Sequence, residues 1–208
     1  MKRKLETIGL CIGWFAILAQ FFLMFQNRQT GILEMVIRFF SFFTILTNIL
    51  VTLYFTASVF KLKMIPFKWF FSKGTITAIT AFILIVGLVY QVALRGVWQP
   101  TGLQRIVDEL LHTIIPLYVL IYWCIKVRKN DLRLKSILGW MLYPVLFIVF
   151  ILARGHFSGF YPYPFLNVPE IGYEKTLLNI SIVFGTTLTI FTSLILIGKI
   201  IIKKQTKI

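Results

Sequence analysis

The chain has 208 residues, 58% of them hydrophobic, and a mean hydropathy of +0.85, which is too apolar for a soluble domain of this length. Its net charge of +15 raises nucleic-acid binding, but the Lys and Arg residues are dispersed over short segments between apolar stretches, which argues against a single nucleic-acid face. Six stretches approach or exceed the roughly 20 residues needed to cross a hydrocarbon core of about 30 Å. The expected class is an all-α polytopic membrane protein, one domain over 1–208, with spans near 5–25, 33–55, 75–94, 108–125, 136–153 and 176–198.

Span one follows Lys2, Arg3 and Lys4 and lacks a small-residue cleavage pattern, so it reads as a retained span and not as a signal peptide. Span two carries Ser41, Thr44, Asn48 and Thr52 at steps of three, four and four. On a continuous helix these residues form one polar stripe. Such a stripe serves either helix packing, through bonds to its own carbonyls and across helices, or chemistry. Between spans three and four, the turn-rich run Arg95-Gly96-Val97-Trp98-Gln99-Pro100 offers a Trp suited to the membrane interface.

Span four opens on Asp108-Glu109-Leu110-Leu111-His112 and continues through Pro116. Asp108 and His112 lie one helical turn apart on one face. Ionisable groups cost several kcal/mol within a bilayer and mark pathways or reaction sites. Pro116 has no N–H to give to the carbonyl of His112, so a bend is expected there. After span five, the connection 154–174 holds Arg154, His156, Tyr161, Tyr163 and Phe165 in a stretch dense in aromatics, Pro and Gly. It reads as an ordered cap at headgroup level.

Sixteen of the 22 Lys and Arg fall on one side of this arrangement: Lys2, Arg3 and Lys4; Lys61, Lys63, Lys68 and Lys73; Lys126, Arg128, Lys129, Arg133 and Lys135; Lys199, Lys203, Lys204 and Lys207. Basic excess in short loops marks the cytoplasmic face, so both termini are expected inside and the Asp108–His112 cluster near the outer face. Ser41 lies seven residues past Glu34, about 10 Å down its helix, and His112 four past Asp108, about 6 Å. A hydroxyl and an imidazole are therefore expected at similar depth.

Hydroxyl plus imidazole is the minimum for nucleophilic catalysis, since a Ser or Thr hydroxyl needs a neighbouring base and His has a pKa near working pH. Asp108 is placed to orient the ring. Arg38 and Arg154 can bind a carboxylate or support an oxyanion. A zinc site built from Asp108, His112 and His156 is a competing arrangement, but no H-E-x-x-H or paired-His spacing accompanies it. A transport path is a second competitor. The polar groups cluster near one face, however, and the other half of the spans reads as short of acids. Neither a cofactor nor a resident metal is expected.

Four passages carry a family likeness: Arg38-Phe39-Phe40-Ser41-Phe42-Phe43-Thr44; Leu94 to Pro100; Asp108 to Thr113 with Pro116; and Arg154 to Phe165. In order and span position they resemble the androgen-induced membrane-protein family, which includes the androgen-dependent TFPI-regulating protein, and especially its prokaryotic six-span branch. The resemblance implies an intramembrane hydrolase of fatty acid esters of hydroxy fatty acids, using a threonine nucleophile and a histidine, here in a bacterial plasma membrane. The family histidine falls on His112. The family threonine falls on Ser41, which keeps a hydroxyl, with Thr44 one turn deeper as the second candidate. The expected partners are the bilayer and an acyl-ester lipid, with Arg38, Asn48, Arg154, Tyr161, Tyr163 and Phe165 as substrate-binding candidates and no nucleic acid. The alternative is a non-enzymatic lipid-binding or regulatory six-span protein.

Overall fold

The computed structural model describes residues 2–62, 64–65, 67–97 and 99–205; Lys63, Trp98 and Lys207 of the readings above lie outside them. Among the described residues the chain is all-helical, with no strand. Six helical segments are long and apolar enough to cross a membrane: Arg3–Gln26, Phe43–Phe60, Thr75–Leu94, Gly102–Lys126, Leu138–Ser158 and Val168–Gln205. This is the build of an integral, multi-pass membrane protein.

Helix α1 (Lys2–Gln26) packs against α3 (Phe43–Phe60). The contact is close because α1 presents Gly9 and Gly13 to it. A Cβ added at Gly13 would lie 2.2 Å from Thr52 Oγ1, and one at Gly9 2.6 Å from the Phe55 ring. Small residues four apart let two membrane helices approach backbone to backbone. Span two is not one helix. It divides into α2 (Ile32–Phe40), too short to cross, and α3, so the polar stripe read on a continuous helix keeps Thr44, Asn48 and Thr52 but loses Ser41 to the break.

Helix α4 (Thr75–Val89) is the central element, buried at every position from Thr75 to Ile83. It runs antiparallel to the fourth span, as its contacts show: Trp123 Nε1 donates to Thr77 Oγ1 at 2.9 Å near one end, and Tyr90 donates to Asp108 near the other. That fourth span comprises α5 (Gly102–Glu109), a π-helical turn at Leu110–Ile114 and α6 (Ile115–Lys126). A second π-helical turn, Tyr90–Leu94, extends α4. Helices α7 (Leu134–Trp140), α8 (Leu142–Ser158) and α9 (Val168–Gln205) complete the bundle, α9 being interrupted at Gly172, whose φ is 81°.

Two boundaries differ from the sequence reading. Helix α8 continues through Arg154 and His156 and stops only at Gly159, which has a φ of 69°; a left-handed glycine is a common helix terminator. The cap is therefore confined to 159–167, with α9 beginning at Val168. Glu6 also departs from the expected shortage of acids toward the basic end. It is buried in α1 and accepts a hydrogen bond from the Tyr122 hydroxyl at 3.0 Å.

Candidate active site

The site forms at the end of the bundle that carries the 27–31, 95–101 and 159–167 connections. Its first part is the break in span two. Ser41 turns the chain with φ −84° and ψ −4°, Phe42 is extended, and α3 starts at Phe43. The first amides of a helix have no partner within it. Here the N–H of Phe43 donates to the Tyr163 hydroxyl at 2.8 Å, and the Phe42 ring meets Tyr163 and Phe160 edge-on. The cap loop thus holds the break open, without the Gly or Pro that usually announces one. Ser41 itself is fully buried, and its Oγ donates to the Ile37 carbonyl at 2.7 Å.

The second part is the π-helical turn bearing His112. Ile115 N–H bonds back five residues to Leu110, and Pro116 offers no N–H to His112. Single π turns of this kind re-aim side chains and recur at functional sites. The freed His112 carbonyl meets α4 at Gly87, where an added Cβ would sit only 3.0 Å from that oxygen.

The ring of His112 is held from three directions. Nδ1 lies 2.9 Å from the Asp108 carbonyl oxygen and 3.3 Å from Asp108 Oδ1. A carbonyl only accepts, so Nδ1 carries the proton in this bond and Nε2 is left as an acceptor. Nε2 is 3.3 Å from Thr44 Oγ1, so the threonine hydroxyl can donate to it. The Tyr90 ring stacks on the imidazole with centroids 4.2 Å apart, while its hydroxyl donates to Asp108 Oδ2. Among the described residues, Thr44 supplies the hydroxyl that reaches His112. Ser41, the first candidate from sequence, bonds to its own helix.

Thr44, His112, Asp108, Tyr90 and Arg38 all line one cavity of about 670 Å³, together with Phe39, Phe42, Phe160 and Tyr163. That volume suits a small-molecule or lipid ligand. At its rim Glu34 accepts from both Arg38 and Arg154 at 2.7 Å, and both guanidinium groups lie over the Phe160 ring, at 4.4 and 4.7 Å. The Arg38 hydrogen bond holds the Glu34 carboxyl below its ordinary value, and Arg154 adds to the effect. Burial pushes the Tyr163 phenol up to about 12, so it stays protonated at neutral pH.

The other candidates sit elsewhere. Arg154 braces Glu34 from outside the cavity wall. Tyr161 packs its ring on Gly155, and Phe165 stacks on Tyr163 at 5.2 Å, away from the main cavity. Asn48 lies one turn below Thr44, where its Nδ2 donates to the Thr44 carbonyl at 2.8 Å and the Leu111 carbonyl at 3.3 Å. It ties α3 to the π-helical turn instead of meeting the cavity. His156 is exposed on α8, and no three His, Cys, Asp or Glu side chains form a metal-binding group among the described residues; the set Asp108, His112 and His156 does not come together.

Tyr90 escaped the sequence reading although a signal was present. It stands nine residues before Gln99 and Asp108 nine after it, so a tight hairpin between two spans brings them level. Comparison with protein-family models, with curated proteins and with solved structures finds no match to this chain.

Proposed function

We propose that the protein is an integral-membrane hydrolase of acyl-ester lipids. The observation that carries the reading is the aligned set Thr44–His112–Asp108 on the wall of a lipid-sized cavity. Thr44 Oγ attacks the ester carbonyl carbon as its proton passes to His112 Nε2. The tetrahedral adduct collapses, the alcohol leaves with that proton, and the acyl group stays on Thr44. Water, deprotonated by the same Nε2, then releases the fatty acid and restores the hydroxyl. Asp108 fixes the ring tautomer and balances the imidazolium, with Tyr90 holding the carboxylate. Arg38, at the rim, supplies a cation for an anionic group on the substrate.

The family resemblance supports the same chemistry, with the nucleophile moved from Ser41 to Thr44. The distribution of Lys and Arg supports a site on the outer side of the membrane, and the resemblance to the prokaryotic branch supports a bacterial plasma membrane. A purely lipid-binding role draws support from a different observation: the Ser41, Thr52 and Thr56 hydroxyls all return to their own helix. Turnover of a long-chain fatty ester by protein in liposomes separates the two readings. Hydrolysis that disappears in His112→Ala supports the enzyme, and turnover indistinguishable from protein-free liposomes refutes it.

A further inference from the structure

We infer that the site has a second arm, a lateral channel that takes a single acyl chain from the bilayer between α4 and α9 to Thr44. Its use as an acyl arm rests on the ester-hydrolase reading; its existence as a chain-binding site does not. Beyond Thr44 and Tyr163 lies a narrow space of about 60 Å³, and beyond that a groove of about 230 Å³ on the α4–α9 surface. The three spaces adjoin. Thr44, Leu94 and Tyr163 wall both the main cavity and the narrow space. Val89, Phe165 and Val183 wall both the narrow space and the groove.

The linings differ in chemistry. The main cavity presents Arg28, Arg38, Gln104, Asp108 and His112. Among the described residues, no ionisable side chain lines the narrow space or the groove apart from the protonated Tyr163 phenol. Their hydroxyl and amide donors are engaged within the protein: Thr187 donates to the Val183 carbonyl at 2.7 Å, Thr186 to the Ile182 carbonyl at 2.8 Å and Asn179 Nδ2 to the Phe165 carbonyl at 3.0 Å. A wall whose hydrogen bonds are satisfied internally offers an incoming group only apolar contact, which fits a hydrocarbon chain. An ester whose carbonyl rests at Thr44 would lay its acyl chain in this arm and its alcohol portion in the polar cavity. Val89 on α4 and Val183 on α9 both wall the passage, so bulk added at either position narrows it.

The test uses the full chain in phosphatidylcholine liposomes with a palmitate carrying a diazirine a few carbons from its carboxyl group, and residue-level mapping of the photoadduct. The expected label falls on Phe147 and Thr187, which line the narrow space and are 7% and 3% exposed, beyond the reach of bulk lipid. It drops about tenfold in Val183→Trp and in Val89→Trp, and stays at the wild-type level in Leu188→Trp, a lipid-facing control on α9. Hydrolysis of long-chain esters falls more than that of short-chain esters in the two blocking variants. Label confined to lipid-facing positions, or buried label that survives both blocks, overturns the channel. Label without turnover keeps the channel and removes the hydrolase reading; turnover without buried label does the reverse.

Discussion

Tyr90 serves both partners of the acid–base pair: its ring lies 15° from parallel on the His112 imidazole, and its hydroxyl donates to the Asp108 carboxylate. One side chain therefore fixes the plane of the base and the position of the carboxylate beside its Nδ1. Tyr90→Phe keeps the stack and deletes the hydroxyl. It is expected to lower kcat about tenfold, the scale of a lost supporting hydrogen bond at a catalytic centre, with KM nearly unchanged. Steady-state kinetics on a long-chain ester measures both, and an unchanged kcat would show that Asp108 needs no such support.

Thr44 and Ser41 separate cleanly. Thr44→Ala removes the hydroxyl that reaches His112 and is expected to reduce kcat by about 10⁴-fold. Ser41→Ala removes only a bond to the Ile37 carbonyl. It should cost about 1 kcal/mol of stability and leave turnover near wild type. Loss in Ser41→Ala with turnover retained in Thr44→Ala would return the nucleophile to Ser41.

Gly87 tests the packing that aims His112. An alanine there places its Cβ 3.0 Å from the His112 carbonyl oxygen and 3.3 Å from Pro116 Cβ. Overpacking of this kind costs about 1–3 kcal/mol, and the π-helical turn shifts with it. Thermal unfolding should show the loss, and activity should fall with it. Gly185→Ala, with nothing within 4 Å of the added carbon, is expected to change neither.

The rim cluster predicts an acid limit. Because Arg38 and Arg154 hold the Glu34 carboxyl below the ordinary 4.5, the folded state binds this proton less readily than the unfolded chain. Its contribution to stability is fully present above pH 4.5 and lost as pH falls through the lowered folded value. Glu34→Gln should remove this part of the acid destabilisation while lowering stability at neutral pH. A pH series of melting curves for wild type and variant checks both, and parallel curves would dissociate Glu34 from the acid limit.

Much of this arrangement is legible in the residues. The six spans follow from apolar run length, and Asp108, His112 and Pro116 stand out because charge and proline are rare in such runs. The break at Ser41–Phe42 is invisible because it lies in an apolar, aromatic-rich stretch, Phe39 to Phe43, with no Gly or Pro, and is made by a tertiary contact, the Tyr163 hydroxyl on the Phe43 amide. That one contact shifts Ser41 out of the stripe and leaves Thr44 on the first turn of α3. The close approach at Gly9 and Gly13 has a recognisable spacing, but only the partner helix shows what it serves. The two π-helical turns leave no residue signature beyond Pro116, since they arise from how α4 and the fourth span settle against each other.

The mechanism turns on Thr44 as the group that His112 activates. Its most direct test is to treat the purified protein with a fluorophosphonate and map the adduct by peptide mass spectrometry. The mechanism predicts a single phosphonyl adduct on Thr44, absent from His112→Ala and retained in Ser41→Ala. An adduct on Ser41, or labelling that persists in Thr44→Ala, would contradict it.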